Sequence, residues 1–168
     1  MKTVTTINFI LGITVLSIIY SCSSDQGRSV KPATTKPVLA TKKCYMAVYS
    51  GDTAILSFTS KGSLIEGKLK FIDMHGNIDA GTIKGRIAGD TLLADYHYKT
   101  FNKIWLRNPI ALLKKGNKLQ LGVGELEWAW GRTYFTRNIP IDYDKGRYTF
   151  REVSWKIYNQ LTASHIVQ

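Results

Sequence analysis

From Cys44 onward, apolar and polar residues alternate in short runs, with glycine, asparagine or aspartate between most of them. In Ser63–Asp73 the apolar positions are Ile65, Leu69 and Phe71, with Gly67 in phase, while Glu66, Lys68 and Lys70 fall between them. In Thr91–Thr100, Leu92, Ala94, Tyr96 and Tyr98 alternate with Asp95, His97 and Lys99. A period of two marks a strand with one buried face, because successive side chains leave a pleated backbone on opposite sides. The same signal predicts strands at Cys44–Ser50, Ala54–Ser60, Thr82–Ala88, Lys103–Lys114, Leu119–Leu126, Arg132–Thr136 and Arg147–Tyr158. Turns are expected at Gly51-Asp52, Lys61-Gly62, His75-Gly76-Asn77, Gly89-Asp90 and Lys115–Lys118. Pro109 has no N–H for a ladder, so an edge, bulge or loop is expected near Asn108-Pro109. No stretch after Cys22 carries a long amphipathic helical pattern.

Eight or nine short strands at roughly ten-residue spacing indicate an all-β antiparallel meander, sandwich or barrel. Closure removes exposed sheet edges, which favours a barrel. The expectation is a single small up-and-down barrel of lipocalin or avidin type over residues 44–160, its apolar faces turned inward and 161–168 a tail.

The N-terminal part follows a different pattern. Met1-Lys2-Thr3 precedes a mostly apolar segment, Ile7–Tyr20, then Ser21-Cys22 and the polar Ser23-Ser24-Asp25. A spanning helix needs about 20 apolar residues, so this segment is short for one. A charged start, a short apolar stretch and a small residue before the cut describe a secretory signal peptide over 1–21. A cysteine at the cut makes it resemble a bacterial lipoprotein signal, with Cys22 as the lipidated residue. The other readings are an ordinary signal peptide with a free Cys22, or a short uncleaved anchor. Residues 22–43, with Pro32 and Pro37 and few large apolar residues, read as a flexible tether. Its basic residues, including Lys42 and Lys43, are placed to rest against anionic head groups. Cys44 would then have no disulfide partner and is expected to be a buried, inert thiol. Ser23 after the cysteine, by analogy with enteric bacteria, suggests the outer membrane, and the protein is expected to be monomeric.

Formal net charge is +11, and removal of the signal takes away only Lys2. An exported basic protein fits an anionic lipid or glycan partner rather than nucleic acid. The four tryptophans and nine tyrosines can fill a core or line a pocket. Trp128 and Trp130, on one strand face or a turn ended by Gly131, are the leading pocket candidates, with Tyr96 and Tyr98 facing inward beside them. Asp73 with His75, and Asp95 with His97, read as a turn and a solvated face rather than a metal site. Glu125 and Glu127 share a face and do not oppose each other across a cleft, as glycosidase carboxylates do. No nucleophile, base and orienting group come together in the sequence, so neither an enzyme nor a cofactor is expected.

The stretch Gly81–Tyr96 (GTIKGRIAGDTLLADY) resembles the central motif of a group of small lipocalin-like lipoproteins from Bacteroidetes-type bacteria. Cys44-Tyr45, Gly67-Lys68-Leu69, Leu112–Gly116, Ile141-Asp142-Tyr143 and Tyr148-Thr149-Phe150 fit the same pattern. The resemblance implies a lipocalin-like fold and carries no established activity. Members often have a late cysteine able to pair with the counterpart of Cys44, and an acidic Ser-Glu-Gly loop. This chain has no cysteine after Cys44, and Lys99–Lys103 stands where that loop would be. Two functions follow as expectations. One is an outer-membrane lipoprotein binding a small hydrophobic or envelope-derived anionic ligand without catalysis. The other is a structural lipoprotein with a filled barrel that docks on another envelope component.

Overall fold

The computed structural model describes residues 39–163. Cys22, the segment 1–21, most of the tether and the end of the tail lie outside the described residues. Ten strands run in chain order: β1 (Thr41–Tyr49), β2 (Asp52–Lys61), β3 (Leu64–Ile72), β4 (Ile78–Ala88), β5 (Thr91–Lys99), β6 (Trp105–Lys115), β7 (Lys118–Leu121), β8 (Leu126–Ala129), β9 (Arg132–Phe135) and β10 (Thr149–Glu152). The helix α1 (Trp155–Ala163) follows. Eight strands close an antiparallel barrel in the order β1-β10-β7-β6-β5-β4-β3-β2, and β8–β9 form a separate hairpin. This is the up-and-down barrel the alternation predicts, with one hairpin inserted before its last strand.

The inward positions follow the period of two. Ala54, Leu56 and Phe58 of β2, Ile65 and Leu69 of β3, Ile83 of β4, Leu112 of β6, Leu119 of β7 and Phe150 of β10 are buried together. Burying a side chain such as Leu56 or Phe150 contributes about 1.5–3 kcal/mol. On β3 and β4, glycines take some of the inward positions. A Cβ on Gly67 would run into the Phe58 backbone, and one on Gly81 into the His97 carbonyl and Tyr98 Cα. Strand crowding of this kind tolerates no side chain.

Several boundaries differ from the sequence expectation. β1 begins at Thr41, because Thr41–Lys43 pair with Ser60–Phe58 of β2. Lys42 and Lys43 therefore belong to the barrel and not to the tether. Lys42 lies 3.5 Å from the centre of the Trp155 ring, and Lys43 is 3.4 Å from Glu152. β6 runs unbroken through Pro109, which faces Asp95 of β5. β7 meets β6 only from Leu112 to Lys115, so Pro109 is paired on one side alone and behaves as an edge residue. β7 stops at Leu121, and Gly122–Arg147 leaves the barrel to form the hairpin before returning at β10.

The segment read as a strand over Arg147–Tyr158 is β10 followed by α1. Ser154 ends the strand and caps the helix, its Oγ accepting the Ile157 N–H at 3.3 Å. Tyr158 and Leu161 then pack on the outside of the barrel with Cys44, Ile55 and Ile72. Cys44 is buried and free there, and burial pushes its thiol pKa up. A thiol so placed is a poor nucleophile.

Candidate ligand-binding site

The barrel has two unlike ends. At one end the chain enters at Thr41, and short turns close β2–β3, β4–β5 and β6–β7. The longer loops 73–77 and 100–104 and the excursion 122–148 gather at the other end. Toward that end the inward positions include polar side chains among the aromatics: Phe71, Asp79, Tyr96, Tyr98, Asn108 and Tyr148.

Two adjoining clefts open there, sharing Phe71, Asp79 and Leu121. The first, of about 290 Å³, lies against Tyr96, Tyr98, Asn108 and Ile110, with Gly122–Gly124, Leu126 and Phe135 on its far side. The second, of about 340 Å³, is bordered by Asp52, Asp73, Asp79, Phe101, Arg147 and Tyr148. Together they reach the size range of small-molecule sites.

Tyr96 and Tyr98, two positions apart on β5, stack with ring centres 4.3 Å apart. Phe71 meets the Tyr96 ring edge-on at 6.0 Å and the Tyr148 ring at 5.2 Å. The Tyr96 hydroxyl faces the backbone carbonyls of Leu69 and Asp79, each at 3.1 Å. Its donor capacity is spent on the wall. The Tyr98 hydroxyl accepts the Asn108 amide N–H at 3.1 Å. Its own proton has no acceptor at hydrogen-bond distance among the described residues. Burial, and then the Asp79 charge, push both phenol pKa values up, so each stays a neutral donor. Asp79 Oδ1 accepts the Phe101 N–H at 3.0 Å. The cleft therefore offers stacked aromatic walls, a phenol donor, an amide and a carboxylate.

Of the residues singled out from the sequence, Tyr96 and Tyr98 line this cleft. Trp128 and Trp130 do not join them. Trp128 lies on β8 with 72% of its surface exposed, and Trp130 forms the β8–β9 turn with Gly131 at 96% exposure. The hairpin passes along the outer wall, where Arg132 reaches Asp95 at 3.0 Å, and only Leu126 and Phe135 of it border the cleft. Asp79, Asn108 and Tyr148 were not expected at the site. Asp79 is in phase with Ile83, and Asn108 with Ile110, so extending each strand by counting twos would have found them. Asp95 is bound by Arg107 and Arg132, and Asp73 accepts from Asn77 and the His75 N–H. Glu125 just before β8 and Glu127 on it are both exposed.

Comparison of the chain with protein-family models, with curated proteins and with solved structures gives no match. The functional reading accordingly rests on the site's own geometry.

Proposed function

We propose that this chain is a lipid-anchored outer-membrane lipoprotein, related to the lipocalin-like lipoproteins it resembles, whose barrel binds a small hydrophobic ligand without catalysis. The observation that carries the binding part is the aromatic cleft at the open end, with Tyr98 keeping an unspent proton inside it. The Tyr98 hydroxyl borders the cleft, so a ligand oxygen placed there can accept its proton. Asp52, Asp73 and Asp79 at the mouth outnumber Arg147, so a neutral ligand with apolar faces suits the cleft better than an anion. The anchoring part rests on Cys22 behind its short apolar segment.

Two experiments test the reading. Metabolic labelling with palmitate is expected to mark the protein and to fail in Cys22→Ser; equal labelling of both would sink the anchor. Binding is measured with the neutral fluorescent probe N-phenyl-1-naphthylamine, on protein starting at position 22 and carrying Cys22→Ser. Saturable enhancement is expected, abolished by Leu121→Trp, which fills the cleft, and unaltered by Trp130→Asn. Enhancement indifferent to Leu121→Trp would remove the cleft from the argument and leave the structural lipoprotein as the better reading.

A further inference from the structure

A larger groove, of about 670 Å³, lies on the outside of the barrel between α1 and the outer face of β2, β3 and β4. Its walls are outward-facing cross-strand rows. Ile55, Lys70 and Ala80 form one row, and Ser57, Lys68 and Thr82 the next. Trp155 and Tyr158 of α1 close one side, with Lys42 at the edge.

The charge in this groove is unbalanced. Glu66, its only carboxylate, is 2.9 Å from Lys84. Lys68 and Lys70 have no acidic partner within ion-pair distance among the described residues. Burial pulls the Lys70 ammonium below its ordinary pKa, the expected cost of a partly buried cation with nothing opposite it. Lys42 is held against the Trp155 ring at 3.5 Å. Tyr158 stacks on the same ring with centres 4.8 Å apart. Ser57 and Tyr158 already share a hydrogen bond of 2.9 Å. What remains is apolar wall, the Thr59 and Thr82 side chains and the ammonium groups of Lys68 and Lys70, with Lys42 at the edge on the Trp155 ring.

We propose that this groove binds an organic anion, a phosphate or carboxylate carried on an apolar body. The anion pairs with Lys68 and Lys70, Lys42 adds positive charge at the edge, and the apolar part lies along Ile55, Ala80 and Trp155. The site is separate from the barrel cleft, which lies across the sheet and carries carboxylates at its mouth.

The test is calorimetric titration with octyl phosphate below its micellar range, using protein that starts at position 22 and carries Cys22→Ser. Saturable binding is expected, at least tenfold weaker in Lys68→Gln/Lys70→Gln. It is expected to be unchanged in Lys114→Gln/Lys118→Gln, an exposed pair away from the groove, and in Leu121→Trp, which separates this result from that of the barrel cleft. Melting temperatures of the surface variants check that each is folded. Octanoate, run alongside, distinguishes head groups, and the same lysine dependence for either anion supports the site. Wild-type affinity in Lys68→Gln/Lys70→Gln would overturn the proposal. So would equal binding of octyltrimethylammonium, or displacement by equimolar inorganic phosphate.

Discussion

Ser57 is the buried polar side chain of the described barrel wall, 6% exposed, and its hydroxyl is satisfied by Tyr158 of α1. Tyr158→Phe keeps the ring and removes that partner, so a hydroxyl is left buried and unpaired. The expected loss is about 1–3 kcal/mol, seen as a lower urea midpoint at unchanged slope. Adding Ser57→Ala removes the stranded group and is expected to restore most of the loss; a double variant no better than the single would show that the hydroxyl is not the cause. Glycines separate by the same reasoning. Gly62 has φ of 61° and open space around it, so Gly62→Ala carries only the left-handed backbone cost, about 1–2 kcal/mol. Gly81→Ala drives a methyl into the neighbouring strand and is expected to cost more than Gly62→Ala in the same urea series. Much of this was legible in the alternation, because Gly67 and Gly81 sit in phase with Leu69 and Ile83. The partnership of Ser57 with Tyr158 was not, since it joins residues 101 positions apart and no local pattern encodes it.

Among the elements, the β8–β9 hairpin and the β3–β4 loop respond to opposite chemistry. Trp130 has φ of 54° at 96% exposure, in a two-residue turn with Gly131 at φ of 76°. Asn-Gly is the favoured pair for that turn, and little packing is lost at so exposed a position. Trp130→Asn is therefore expected to stabilise the protein by about 1 kcal/mol in thermal melts, and a destabilised variant would mean that the indole makes contacts its exposure conceals. In the β3–β4 loop, the Asn77 side chain, then the Asn77 and His75 N–H groups, hold the Asp73 carboxyl below its ordinary value. A carboxylate depressed in the folded state stabilises in full above its unfolded pKa, near 4, and loses that contribution as pH falls through the lower folded value. The melting-temperature gap between wild type and Asp73→Ala is accordingly expected to shrink from pH 7 to about pH 2.5. A gap independent of pH would leave the loop geometry, not the charge, as its source. Strands were readable because each repeats a two-residue period several times. α1 has nine residues, and its signal is one capping serine followed by Tyr158 and Leu161, easily read as a continuation of Tyr148-Thr149-Phe150. β7 was read too long because Gly122 and Gly124, which approach Tyr143 and Phe135, lie inside an apolar run.

The closed molecule is only as strong as its seam. β2 and β3 stay in register from Thr53–Ile72 to Lys61–Leu64, whereas β1 and β10 meet through Tyr45–Glu152 and Met46–Arg151 alone. β10 meets β7 over the short run Thr149–Arg151. Local opening follows the density of such pairings, so β10 is where the barrel should part first. α1 opposes that opening. It continues directly from β10, the Val153 N–H bonds the Cys44 carbonyl at 2.8 Å, and Tyr158 packs over Cys44 and Ile55 of β1 and β2. The helix thus straps the last strand to the first, and it also forms one wall of the outer groove. Hydrogen exchange is expected to show the amides of Phe150 and Arg151 exchanging faster than those of Leu69 and Ile83. Truncation after Val153 is expected to increase exchange along β1 and β10 and to expose Cys44 to thiol reagents, with β3 and β4 still protected. If β3 and β4 lose protection in parallel, the barrel opens as one cooperative unit and α1 is a strap for the whole wall. If β10 exchanges as slowly as β4 with α1 intact, the seam is stronger than its pairing implies, and the interior contacts of Phe150 and Tyr148 hold it.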